Sequence, residues 1–275
     1  MAYTTEEILD RLVTNISGLP KVQSVGLSGS KSPLPGIGEG DIDLFIYCSE
    51  IPALYERQAV LDALSALVKE YKTNVIRGGR WGYGDFALLN GVETWLMHFT
   101  MEETLSDVES VLSGEQPDKQ DNYYYPVGRL AMLKNMTVLF DRNGFLPNLK
   151  NRLNIYPENL RKTLTTYHLK ALHDTEDLCR AVTRGDAFFY HFALDIALDH
   201  FLQALFAMNS TYFPSRKRTA SYLNGFTIQP KDCALRLGEV LRLGGNSETV
   251  PQSFALFQSL TEELMSLGAP YAGGK

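Results

Sequence analysis

The feature that most constrains this chain is a change of hydrophobic period near residue 150. Before it, apolar residues come in short runs broken by Gly, Pro, Asn and Asp, the pattern of strands and turns. After it, they recur every three or four positions over long stretches, the pattern of helices. Val22 to Ser28, Ile42 to Tyr47, Val75 to Arg77, Val92 to Thr100 and Thr137 to Phe140 read as strands. Leu44, Phe45 and Ile46 are continuously apolar, as in a strand covered on both faces. Thr5 to Ser17 reads as a helix with Ile8, Leu12 and Ile16 on one side. Ala53 to Tyr71 reads as another, with Leu54, Leu61, Leu64 and Val68 aligned.

In the second half, Leu164, His168, Ala171, Leu172, Thr175, Cys179 and Val182 keep a helical period. Ala187 to Met208 is apolar almost all round, as expected of the central helix of a bundle. Cys233 to Leu243 and Ser253 to Leu267 add two more helices. The expected fold class is therefore α+β. Residues 1–150 form a mixed β-sheet domain with flanking helices, and residues 151–275 an all-α helical bundle domain.

Composition narrows the function. With 44% hydrophobic and 21% charged residues, disorder is not expected. A formal net charge of -6 argues against a generally basic nucleic-acid surface and favours small molecules, cationic ones especially. The three cysteines, Cys48, Cys179 and Cys233, are far apart and follow no CxxC spacing. Neither a disulfide framework nor a zinc site is expected from them, and a reducing, cytoplasmic setting is. Met1 to Asp10 carries acidic residues and no apolar run, so no signal peptide is expected, and no run of about 18 apolar residues predicts a membrane span.

One stretch carries chemistry. Gly29-Ser30 follows the first strand, a loop rich in Gly, Pro and Ser runs to Gly40, and Asp41-Ile42-Asp43 opens the second strand. Alternation along a strand puts Asp41 and Asp43 on one face, roughly 7 Å apart. Carboxylates so placed suit hard divalent cations. Mg2+ is the natural occupant, because it takes a few carboxylates together with phosphate oxygens. Gly29 lets the backbone approach a phosphate closely, and Ser30 offers a hydroxyl and an N–H. Taken singly, these residues are compatible with an ordinary turn and strand start. The ordered combination points to a phosphate cradle and metal ligands in one unit.

This segment resembles the GS…DxD signature of the DNA polymerase β-like nucleotidyltransferase superfamily. Further on, Arg184-Gly185-Asp186, the apolar helix, Ala207-Met208-Asn209 and the run Tyr212-Phe213-Pro214-Ser215-Arg216-Lys217-Arg218 resemble the helical half of its small-molecule members. The aminoglycoside and lincosamide adenylyltransferases are the best known of these. The resemblance covers most of the chain. It implies a mixed sheet followed by a helical bundle, with the nucleotide between them. It also implies Mg2+-assisted transfer of a nucleotidyl group, most simply AMP from ATP, to a hydroxyl of a small molecule. On this resemblance Asp41 and Asp43 hold the metal, Gly29 and Ser30 bind the phosphates, and Lys217 neutralises triphosphate charge. Arg218 reads instead as part of a solvated helix start.

The chain departs from the pattern at one place. The superfamily usually carries a third carboxylate on a later central strand, and the position aligned by Asn90-Gly91 holds Trp95. Glu93 shares the parity of Trp95, so it supplies the third acid or the base, or else is an exposed strand-end residue while Trp95 has replaced the acid. Asp85, in a Gly-rich stretch, is a weaker candidate. Along the apolar helix, His191, Asp195 and Asp199 line one face four residues apart. They form either an acidic wall for a cationic substrate or a stripe that pairs with a neighbouring helix or meets solvent. Asp186, just before this helix, reads as its N-cap. Two further function classes stay open. Arg184 and His191 have the loose spacing of the HEPN-type ribonucleases, and a nucleotide-binding regulator with a decayed active site fits the missing acid.

Overall fold

The computed structural model describes residues 3–29, 33–121 and 123–271. The chain divides into two compact units. The first is Met1–Glu109 with Met132–Ile155, and the second is Ser110–Ala131 with Tyr156–Lys275. The class is α+β.

The first unit holds, in order, α1 (Thr5–Ser17), β1 (Val22–Leu27), β2 (Ile42–Cys48), α2 (Leu54–Asp62), β3 (Tyr71–Arg77), β4 (Tyr83–Leu89) and β5 (Val92–Thr100). α3 (Met101–Ser113) and α4 (Pro126–Asn135) are the two helices in which the chain passes from one unit to the other and back. β6 (Thr137–Asp141) and α5 (Phe145–Leu153) complete this unit. Among the described residues the sheet has six strands in the order β3-β4-β5-β2-β1-β6. β2 and β5 run parallel, and the other neighbours are antiparallel.

β2 is central because both its faces are apolar. Ile42, Leu44 and Ile46 join Ile8, Leu12 and Ile16 of α1 in one buried core. On the other face Phe45 and Tyr47 meet Phe99 of β5, with ring centroids 6.0 and 6.2 Å apart, and Tyr47 meets Phe145 of α5 at 5.4 Å. α1 starts where a capping box dictates: Thr4 accepts from the Glu7 N–H, and Glu7 accepts from the Thr4 N–H at 2.8 Å.

The second unit is built around α8 (Ala187–Met208), with α6 (Glu158–Ala171), α7 (Glu176–Arg184), α9 (Thr219–Leu223), α10 (Cys233–Gly244) and α11 (Val250–Gly268). Tyr190, Phe201, Leu205 and Phe206 of α8 lie at the centre of its apolar cluster, which Leu169, Ala181, Val240, Phe257 and Leu260 complete from neighbouring helices. No helix among the described residues is long and apolar enough to cross a membrane.

Three expectations need correction. The helix read over Ala53 to Tyr71 ends at Asp62, and turns carry the chain on while keeping Leu64 and Val68 buried. Those positions hold the same inward spacing without helical hydrogen bonds throughout. The single helical period from Leu164 to Val182 is two helices: α6 ends at Ala171, and α7 begins at Glu176 after a turn in which the Asp174 carboxylate accepts from the Glu176 N–H. The Gly-rich stretch around Asp85 lies within a strand, β4. A Cβ at Gly84 would stand 2.9 Å from Ile76 of β3, so glycine is there for close strand packing and not for a loop.

Candidate functional site

The end of β1 and the start of β2 meet at one corner of the sheet. Leu27 pairs with Leu44, and one step further the Ser28 N–H donates to the Asp43 carbonyl at 3.0 Å. Gly29 follows with a φ of +96°, a conformation that favours glycine, and among the described residues nothing beyond its chain neighbours lies within 4 Å of where its Cβ would be. Thr137 of β6 donates its hydroxyl to the Gly29 carbonyl at 2.8 Å and holds that backbone in place. Ser30 lies outside the described residues. Asp41 is exposed immediately before β2, and Asp43 is half-buried within it.

The parallel pairing with β5 decides what stands beside these acids. Ile42 is opposite Thr94, and Asp43 is opposite Trp95. Extended by one residue, the same register sets Asp41 beside Glu93, which is exposed. Residues paired across adjacent strands share a face, so Asp43, Glu93 and Trp95 belong to one side of the sheet, and Asp41 precedes Asp43 by two residues. Phe86 of β4, paired with Trp95, packs edge-on against it at 5.2 Å. The corner therefore carries open glycine backbone, a carboxylate row and an aromatic pair.

Asp85 is on the opposite face. It pairs with Leu96, which in turn pairs with Leu44 of the core side. Only 1% exposed, it accepts from Arg57 of α2 at 2.6 Å and from the Asn74 N–H at 2.7 Å. Burial pushes its carboxyl upward, and these donors oppose that. His98, also on that face, hydrogen-bonds the Tyr83 carbonyl at 3.0 Å and is pushed down to about 3 by burial and by Arg57. This buried cluster ties α2 to β4 and takes Asp85 out of the candidate site.

In the second unit the acids of α8 meet a different arrangement. Asp199, 2% exposed, accepts from Arg216 Nε at 2.6 Å, from the Tyr125 hydroxyl at 2.8 Å and from Lys119. Burial would raise its carboxyl, but these donors hold it below its ordinary value. Arg216 reaches back along α8 to the Asp195 side chain and carbonyl. Of the basic run, then, Arg216 is engaged with the acidic stripe, while the Lys217 and Arg218 residues are exposed. Asp186 caps α8, accepting from the Phe189 N–H at 3.0 Å. Arg184 ends α7 and His191 is exposed on α8.

One group in this unit was not singled out from the sequence. Among the described residues, Asp118, His168 and His200 are brought together with one ligand atom each, all within 4.8 Å of one another. Their positions are far apart in the chain and share no motif, so no spacing rule could have found them.

Comparisons with known proteins place the chain by fold. A family described as a domain of unknown function, DUF4037, matches residues 124–218. No curated protein sequence matches the chain. An aminoglycoside 6-adenyltransferase from Bacillus subtilis aligns over 99% of this chain and 94% of its own, at 10% identity and a TM-score of 0.28. A nucleotidyltransferase-like protein from Exiguobacterium sibiricum 255-15 aligns over 98% of this chain and 78% of its own, at 14% identity and a TM-score of 0.50. The chain shares its fold with the latter.

Proposed function

We propose that this chain is a metal-dependent nucleotidyltransferase that moves a nucleotidyl group, most simply AMP from ATP, to a hydroxyl of a small molecule. The observation that carries the reading is the corner of the sheet where open Gly29 backbone stands beside the face of Asp41 and Asp43. The donor set fits magnesium: one exposed carboxylate just before β2 and one half-buried within it, beside glycine backbone that no described side chain fills. Bound there, the metal would neutralise phosphate charge and favour departure of pyrophosphate. The chain's own residues bind and orient. Gly29, with Ser30, cradles the phosphates. Glu93 accepts the proton of the acceptor hydroxyl. Lys217 serves the triphosphate. Asp199 and Asp195 both hold Arg216, and Asp195, the more exposed of the two, is the one a cationic acceptor would reach. The fold shared with a nucleotidyltransferase-like protein agrees with this assignment.

The test is a thermal-shift screen of nucleoside triphosphates with and without Mg2+, followed by transfer from labelled ATP to candidate hydroxyl acceptors. Stabilisation by a triphosphate that needs Mg2+ and vanishes in Asp41→Asn is the expected result. No response to any triphosphate would overturn the assignment. One observation favours a second reading, a nucleotide-binding regulator with a decayed active site: Trp95, not an acid, is paired directly with Asp43. Triphosphate binding without turnover on any acceptor would select it.

A further inference from the structure

The second unit carries a cluster that the proposed transfer does not use. His168 of α6 is fully buried, and its Nδ1 stands 2.9 Å from Nδ1 of His200 on α8. Its Nε2 is 2.8 Å from the Pro117 carbonyl. A carbonyl only accepts, so Nε2 carries the proton and donates it. With Nε2 the donor, the Nδ1 lone pair faces His200. The next residue of the Pro117 segment, Asp118, completes the group, with its carboxylate within 4.8 Å of both rings. Tyr167, beside His168 on α6, donates to that carboxylate at 3.2 Å.

We propose that Asp118, His168 and His200 form a binding site for a divalent transition metal, zinc first among them, distinct from the magnesium site of the sheet. Two neutral imidazoles and one carboxylate suit zinc and are poor partners for magnesium, which prefers oxygen. The surroundings are those of a metal centre. One ligating ring is fixed by N–H donation to a backbone carbonyl, and the carboxylate is oriented by a tyrosine. Two nitrogens at about 2.1 Å from a tetrahedral zinc stand about 3.4 Å apart, so the histidine pair needs to open by only about 0.5 Å. In the metal-free state the short Nδ1–Nδ1 contact requires a proton on His200 Nδ1. Metal binding moves that proton to His200 Nε2, a change of tautomer with no net release. Water fills the fourth position.

The site pins the loop between α3 and α4 to α6 and α8. Lys119, next to Asp118, is bound to Asp199, next to His200, so the metal and the ion pair clamp the same two segments side by side. The metal thus stiffens the segment that supplies Lys119 to the Asp199–Arg216 network.

The experiment uses the full chain, stripped by chelator and then titrated with Zn2+ in excess Mg2+. Bound metal is read by competition with a chromophoric chelator, Co2+ by its visible absorption, and stability by thermal shift. The expected result is one zinc per chain, a tetrahedral Co2+ spectrum and a raised Tm. His200→Asn and Asp118→Asn should weaken binding by about a hundredfold or more. Both positions are only half-buried, so the variants should keep the wild-type circular dichroism. Asp41→Asn should bind zinc normally, which separates this site from the transfer reading, and so should Cys179→Ser, which removes the exposed thiol. Absence of stoichiometric zinc would overturn the proposal and leave the pair as a plain histidine–histidine hydrogen bond. Binding that survives both His200→Asn and Asp118→Asn, or that is lost in Asp41→Asn or Cys179→Ser, would overturn it equally.

Discussion

Asp43 and Asp199 are the same residue type in opposite circumstances. Asp43 is the second residue of β2 at the sheet corner, half-buried on the face that carries exposed Glu93, and exposed Asp41 stands just before the strand. Asp199 lies inside the helical unit, with Arg216, Lys119 and Tyr125 all donating to it. The cost of desolvating a carboxylate explains the contrast. A buried one persists only with charged donors supplied by the fold, whereas a half-buried one at a strand mouth keeps part of its hydration and can exchange it for a cation. Asp85 makes the same point inside the first unit. It is on β4 of the same sheet, yet strand parity turns it inward, and Arg57 accompanies it.

The sharpest break of this comparison is at the strand mouth. Asp41→Asn or Asp43→Asn should lower transfer by roughly a thousandfold, since a metal contributes several kcal/mol of charge stabilisation. Unfolding free energy should change by less than about 1 kcal/mol. Transfer from labelled ATP and urea denaturation measure the two together, and unfolding without loss of chemistry would reverse the roles assigned here. Inside the cores the effect should be the reverse. Asp85→Ala strands the buried Arg57 and should cost about 3–5 kcal/mol in urea unfolding, and Asp199→Ala, which strands Lys119 but leaves Arg216 its bonds to Asp195, should cost less, about 2–3 kcal/mol. A cost under 1 kcal/mol for either would mean that its cations simply reach solvent.

Glu93 sharpens the carboxylate row. Glu93→Gln should lower kcat by about a hundredfold with little change in nucleotide affinity, because a base acts in the transition state. Unchanged turnover in a working enzyme would return the base to another group.

A pH series tests the buried side of the sheet. His98 is held at about 3 against an ordinary 6.5. The unfolded chain takes up a proton below 6.5 that the folded chain refuses until near 3. The stability is thus fully present above pH 6.5 and is lost progressively as pH falls toward 3. Between pH 6.5 and 5 this amounts to about 2 kcal/mol, at about 1.4 kcal/mol per unit. His98→Gln should flatten the difference, and an unchanged slope would show that another group carries it. The smallest effect expected is from Lys217→Ala, about a tenfold rise in KM for ATP with kcat nearly intact.

The sequence by itself determined the elements whose signals are local. The Thr4–Glu7 box set the start of α1, the apolar run of β2 announced a strand covered on both faces, and Asp186 marked the start of α8. It also placed Gly29 and the Asp41/Asp43 pair on one unit, because glycine conformation and strand parity are properties of consecutive residues. Tertiary structure alone decided the rest. Only the parallel register of β2 with β5 sets Trp95 beside Asp43 and Thr94 beside Ile42, since pairing between strands about fifty residues apart leaves no trace in either strand's own pattern. Glycine at position 84 looked like a loop because its reason, close contact with Ile76, lies on another strand. The stripe of Asp195 and Asp199 left its partners open, and they come from Lys119, Tyr125 and Arg216 at separate points of the chain. The Asp118–His168–His200 group is the extreme case, because it belongs to neither metal signal that could be read locally, the cysteine spacing and the Asp41/Asp43 pair. Ligands contributed singly by a loop and two helices become visible only when packing brings them together.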